Sequence, residues 1–145
     1  MTDPRSIDRN WTILDHPADI RMEVRGRTLE QLFVNAALAL TSLIAPKSHG
    51  PPDTEVVVVL EGTDHEELMV DWLRELLYRN QVARFMLVRP LAITVSENRV
   101  EARLAGKTAH EDQPQQGLEV KGVTYHGLSV ERTDEGYCAR ILLDV

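Results

Sequence analysis

Cysteine is almost absent from this chain. Cys138 is the only one, so no internal disulfide can form, which is the usage expected of a reducing, cytoplasmic setting. Basic residues are in deficit as well. The 16 Lys and Arg stand against 23 Asp and Glu, and a net charge of −7 argues against a broad surface for gripping RNA or DNA phosphates directly. It leaves room for a partner that is itself basic or bound to RNA. Long apolar runs are missing too. The longest, Val56–Leu60, is of strand length, far short of the roughly 20 residues that span a bilayer. Met1–Asn10 is polar and mixed in charge, unlike a signal peptide, so no membrane association is expected. Nor is there a P-loop, a dinucleotide fingerprint, an HExxH, a CxxC or a GxSxG, and no motif announces a stand-alone enzyme.

What is present is an ordinary globular composition, 43% hydrophobic and 27% charged, in 145 residues, enough for one domain with its own core. A loose tail is expected over residues 1–10 and a single domain over 11–145. Trp11–Leu14 and the alternating Arg21–Val24 read as strands. Thr28 with Gln31 three residues on makes a capping box, and the apolar spacing from Leu29 to Leu43 predicts a helix that must stop before Pro46. Thr54–Glu61 is β-branched and mostly apolar, the pattern of a central strand buried on both faces. A second helix starts at Thr63 with Glu66, or at Asp64 with Glu67, and buries Leu68, Met69, Trp72, Leu73, Leu76 and Leu77. Four strands follow: Phe85–Val95, Arg99–Gly106, Leu118–Glu131 and Gly136–Asp144, the last two joined through a turn at Thr133–Gly136. This order predicts an α+β fold, with two helices packed on one face of a mixed, mainly antiparallel β-sheet.

Two places concentrate chemistry. Asp15, His16 and Asp19 fall within five residues after an apolar strand, and crowded carboxylates repel unless a metal, a lysine or arginine, or solvent relieves them. Asp144 closes the apolar run Ile141–Leu143 and is followed by Val145, whose terminal carboxylate would add to it. Should the two strands be neighbours, Asp19, Asp144 and Val145 would wall one oxygen-rich pocket suited to calcium, magnesium or manganese. The alternative is two solvated acids, one capping a turn and one at a chain end. Lys121 could neutralise such a pocket or bind phosphate, or could be a surface lysine. Alternation puts Lys121, Val123 and Tyr125 on one strand face, and Gly122, Thr124 and His126 on the other. His16 and His126 titrate near neutrality, but neither has a nucleophile or orienting partner at a recognisable spacing. His49, His65 and His110 read as solvated, Cys138 as a small core residue, Trp72 as core, and Trp11 as core or an exposed anchor.

Five blocks taken together resemble the archease family: Leu14–Ile20 (LDHPADI), Thr28–Phe33 (TLEQLF) with Ala36 and Ala37, Glu67–Tyr78 (ELMVDWLRELLY), Glu119–His126 (EVKGVTYH) and Ile141–Val145 (ILLDV). They run in family order from about residue 11 onward. The resemblance implies an accessory to the GTP-dependent tRNA-splicing RNA ligase, not an enzyme in its own right. Such a protein speeds guanylation of the ligase's active-site histidine, and with it multiple turnover in joining 2′,3′-cyclic phosphate or 3′-phosphate RNA ends to 5′-hydroxyl ends. RNA would be met only through the ligase. The resemblance also implies a divalent metal, typically calcium, held by Asp19, Asp144 and the backbone or terminus of Val145. Lys121, Asp19 and Asp144 would carry ligase activation, with Asp15, His16 and His126 shaping the surroundings. The chain departs from the family pattern at Pro17, where threonine is common, and at Arg21, where a small or polar residue is usual. An Arg21 guanidinium could reach the pocket and compete with a metal. The other readings are a stand-alone metal-dependent phosphohydrolase and a chaperone-like interaction module. The oligomeric state has no signature in the sequence.

Overall fold

Both helices begin with the same local device. The Thr28 hydroxyl accepts the Gln31 N–H at 3.1 Å, while the Gln31 side chain reaches back to the Arg27 N–H at 2.9 Å. At the second helix Asp64, not Thr63, is the cap: its carboxylate accepts the Glu67 N–H at 2.8 Å, and Glu67 returns to the Thr63 N–H at 3.1 Å. Each pair satisfies two backbone donors that a helix start leaves free. Helix α1 spans Leu29–Ile44 and stops two residues before Pro46, where a proline ring would clash with the preceding turn. Helix α2 spans His65–Ala83 and ends on Arg84 in a left-handed conformation, φ 55°. Neither is long and apolar enough to cross a membrane.

The computed structural model describes residues 10–15, 19–47, 50–109 and 117–145. His16, Pro17, His49, His110 and the expected tail apart from Asn10 lie outside them. Seven strands accompany the helices: β1 (Trp11–Asp15), β2 (Asp19–Gly26), β3 (Thr54–Glu61), β4 (Phe85–Val95), β5 (Arg99–Thr108), β6 (Gly122–Thr133) and β7 (Gly136–Asp144). The α+β class holds. The strands form two sheets, however, ordered β1-β2-β7-β6 and β3-β5-β4, and every pairing among the described strands is antiparallel. No described strand of one sheet closely approaches the other sheet. α1 packs mainly on β2 and β4, and α2 on β6, β4 and β3. The core is where they meet. Trp72 is fully buried, donates its indole N–H to the Phe33 carbonyl at 2.8 Å, and sets its ring 6.3 Å from that of Phe33.

The helices also close strand edges. Along β6 and the residues leading into it, Arg74 donates to the Val123 carbonyl at 3.0 Å, Gln81 to the Val120 carbonyl at 3.3 Å, and Glu66 accepts the Val130 N–H at 3.4 Å. On its other flank α2 sends Arg79 to the Val57 carbonyl of β3 at 3.2 Å. α1 does the same for β4, where Glu30 accepts the Val95 N–H at 3.0 Å. Edge strands present unpaired backbone groups that must be blunted or covered.

Two expectations fail here. Thr54–Glu61 is not a central strand: β3 lies at a sheet edge, with Val57 and Val59 exposed at 59% and 46%. The valine run expresses β propensity on an outer face whose other members, Glu55, Glu61, Arg99 and Arg103, form ion pairs. Cys138 is also not in the core. Its neighbour Ala139 points inward, and Cys138 sits half-buried on the outer face of β7 opposite Arg25. Burial pushes its thiol pKa up, and the Glu23 carboxylate adds to this. Less thiolate forms at mildly alkaline pH. Cys138 is therefore expected to react with a disulfide reagent such as DTNB more slowly than free cysteine at pH 8. The rate should still be climbing with pH beyond the usual thiol range, and a rate equal to that of free cysteine would contradict this.

Candidate functional site

The chemistry gathers at one end of the four-stranded sheet. β2 alternates strictly: Ile20, Met22 and Val24 are buried among the helices, so Asp19, Arg21, Glu23 and Arg25 face away from them. β7 does the same, with Ala139, Ile141 and Leu143 inward and Arg140, Leu142 and Asp144 outward. Register then decides which outward residues meet. Glu23 lies opposite Arg140 and pairs with it at 3.5 Å, as it does with Arg25 at 3.0 Å. Arg21 lies opposite Leu142, and in the terminal row Asp19 lies opposite Asp144. Directly opposed residues on an antiparallel pair hold their Cβ atoms about 4.5–5.5 Å apart, and like charges there are destabilising. A face that matches acid to base two rows in thus sets acid against acid at its rim.

The third strand completes the row. Gly122 of β6 pairs with Asp144 from the other side, and the N–H of Lys121 donates to the Asp144 carbonyl at 2.7 Å. The backbone therefore ties Lys121 to the residue whose charge it could offset. Lys121 and Asp144 are exposed, while Asp19 is half-buried with its Oδ1 oxygen shielded from solvent. Val145 packs partly against the core and so anchors the end of β7. Arg21 stands exposed on the same face one row in. Asp15 pairs with Ile20, which brings its backbone to this end of the sheet. His16 lies outside the described residues.

Asp19 and Asp144 offer hard, anionic oxygens, which fit calcium, magnesium or manganese in type and charge. Among the described residues no group of three or more His, Cys, Asp and Glu side chains converges. A cation at this pair would need further ligands, which the Val145 backbone, water or a partner would supply.

His126 is not in this row. Alternation along β6 breaks after Thr124, because pairing passes from Thr124–Leu142 directly to Ser129–Arg140. Tyr125, His126, Gly127 and Leu128 thus stand opposite Ile141 alone; the first three are exposed, Leu128 packs partly against the core, and the His126 N–H lies on the Thr124 hydroxyl at 3.1 Å. Gly127, at φ 68°, is the sequence signal for this, as a glycine inside a strand pattern marks a bulge. Tyr125 lies over the Arg74 guanidinium, 5.1 Å from its ring centroid. Partial burial and then the Asp71 carboxylate raise the Tyr125 hydroxyl pKa, and burial with the neighbouring Glu67 raises that of Asp71. His65 is also less solvated than expected, with its ring nitrogen 3.1 Å from the Ser96 carbonyl.

The family model for the archease protein family matches residues 11–145. A protein archease of Methanosarcina barkeri is 32% identical over 141 residues, covering 94% of this chain and 97% of its own length. That of Archaeoglobus fulgidus is 34% identical over 138 residues, at 93% and 98% coverage. Among solved structures, the solution structure of Methanobacterium thermoautotrophicum protein 1598 superposes with a TM-score of 0.82 at 25% identity, covering 94% of this chain and 99% of that one. The crystal structure of a Thermotoga maritima archease, described as a possible chaperone, gives 0.64 at 20% identity, with 91% and 94% coverage, and so supports the fold alone.

Proposed function

This chain belongs to the archease family, and from that premise we propose that it activates a GTP-dependent RNA ligase. It accelerates guanylation of the ligase's active-site histidine and supports repeated joining of 2′,3′-cyclic phosphate or 3′-phosphate ends to 5′-hydroxyl ends. The observation that carries this reading is the rim of the four-stranded sheet, where Asp19 opposes Asp144 and Lys121 is tied to Asp144. Asp144 and Lys121 are exposed there, and a projecting end with two acids and a lysine suits insertion into another protein's nucleotide cleft better than enclosure of a substrate. Asp19 and Asp144, with the Val145 backbone, would hold a divalent cation such as calcium. When bound, such an ion supplies positive charge beside phosphates and their developing negative charge. Asp19, half-buried, fixes the direction from which an ion or a basic partner group is met. Lys121, tied by its backbone to Asp144, would supply an ammonium to meet a phosphate once the acids are occupied.

The test uses purified, folded ligase with GTP and divalent metal, and follows guanylate incorporation with and without substoichiometric amounts of this chain. Acceleration of about tenfold or more, equivalent to about 1.4 kcal/mol of barrier, is expected. No acceleration with a competent ligase sinks the proposal. A gain only in the yield of active ligase during refolding, with no change in rate for the folded enzyme, favours the chaperone reading instead.

A further inference from the structure

Most of the Tyr125–Leu128 bulge lies outside the core, with Leu128 alone packed partly against it. Four residues of β6 face one residue of β7, whereas an ordinary bulge adds a single residue. A Cβ at Gly127 would meet nothing within 4 Å, so glycine is there for its positive φ and not for lack of room. Tyr125 is 49% exposed yet held in place: Arg74 lies under its ring and donates to the Val123 carbonyl of the same strand at 3.0 Å. An exposed, rigidly mounted tyrosine beside an arginine is the kind of anchor that dominates protein–protein interfaces. Asp71 and Glu67 stand one and two turns before Arg74 on the same side of α2. Along β6, Tyr125 follows Gly122 of the Asp19–Asp144 row by three residues, about 10 Å of strand.

We propose that this bulge, with Asp71 beside it, is the docking element that seats the chain on the basic rim of the ligase's nucleotide cleft. The inference rests on the ligase-activator reading. The occupant is argued from charge and continuity. A protein that binds GTP and RNA ends carries arginine and lysine around its cleft. This chain has a net charge of −7 and presents acids both at the sheet rim and on the side of α2 whose Arg74 meets Tyr125. A partner that receives the rim comes within about 10 Å of the bulge.

Fluorescence anisotropy of the labelled chain titrated with ligase tests this, independently of guanylation. Tyr125→Ala is expected to weaken binding about tenfold or more. Asp71→Asn should weaken it less and flatten its dependence on salt. Both variants should melt like the wild type. At saturating concentration Tyr125→Ala should still reach the wild-type maximal guanylation rate, which a defect in the rim residues would not allow. Affinity unchanged within about twofold in both variants, with the fold intact, overturns the docking assignment. Binding that depends on Tyr125 without any acceleration of guanylation upholds docking and removes the activator reading. No binding of the wild-type chain removes both. An anisotropy rise with unlabelled copies of the chain that is lost in Tyr125→Ala would assign the bulge to self-association and overturn the proposal.

Discussion

Replacing Trp72 with alanine is expected to lower the unfolding free energy by about 3–5 kcal/mol, the range for removing a large aromatic from a close-packed core. Trp72 is fully buried, its indole N–H is bonded to the Phe33 carbonyl, and its ring lies against that of Phe33. It therefore locks α2 to α1 at the centre of the molecule. Each helix touches strands of both sheets, so the cavity would loosen the contacts by which the sheets hold together. Against a typical total of about 5–15 kcal/mol the loss is severe, and for a chain of this size it corresponds to a fall in Tm of about 10–15 °C. Urea titration followed by circular dichroism reads it directly. Trp72→Phe should recover most of the loss, because it refills the volume and forgoes only the indole hydrogen bond. A Trp72→Ala cost below about 1.5 kcal/mol would mean that the two helices are not the keystone described here.

The second large effect separates function from stability. Asp144→Asn is expected to reduce the acceleration of ligase guanylation by about tenfold or more, a loss of at least ~1.4 kcal/mol of transition-state stabilisation. The same variant should melt no lower than the wild type in the absence of divalent metal, and slightly higher if anything. The cause is the direct opposition of Asp19 and Asp144 on one face of the β2–β7 pair, which neutralising either acid relieves. Calcium at about 100 times its dissociation constant should stabilise the wild type by about 2.7 kcal/mol and Asp144→Asn far less. Lys121→Ala should also reduce acceleration about tenfold or more while leaving the calcium-induced shift in place, because the proposal assigns the exposed lysine side chain to activation and not to the cation site. Equal calcium shifts in wild type and Asp144→Asn would remove the metal from the proposal. A marked loss of stability in Asp144→Asn without metal would make the acid pair structural.

Much of this fold is legible from local pattern. β4 and β7 begin and end where their alternation and flanking turns put them, and both helices start at their capping residues. These features depend on neighbours in sequence. What alternation cannot give is the partner strand. Asp19 and Asp144 each look like a solvated acid until register sets them face to face from opposite ends of the chain. Misreadings occurred where two environments share one pattern. The β3 valines suit a buried strand equally well, and only the ion-paired residues beside them reveal an outer face. Cys138 reads as core because its neighbours are apolar, yet strand parity puts it on the other side. Tyr125–Leu128 continues a plausible strand sequence, and the single glycine within it was the one local sign of departure.

The closure of strand edges by α2 has a consequence for solution behaviour. One helix guards two edges, that of β6 through Glu66, Arg74 and Gln81 and that of β3 through Arg79. A fluctuation that lifts α2 uncovers both strands at once, including the valine-rich stretch of β3, while their sheets are still formed. Such a species offers two adhesive surfaces per molecule, enough to propagate chains of copies and not merely pairs. Aggregation is therefore expected to accompany loss of this one helix, and refolding yield should fall as protein concentration rises.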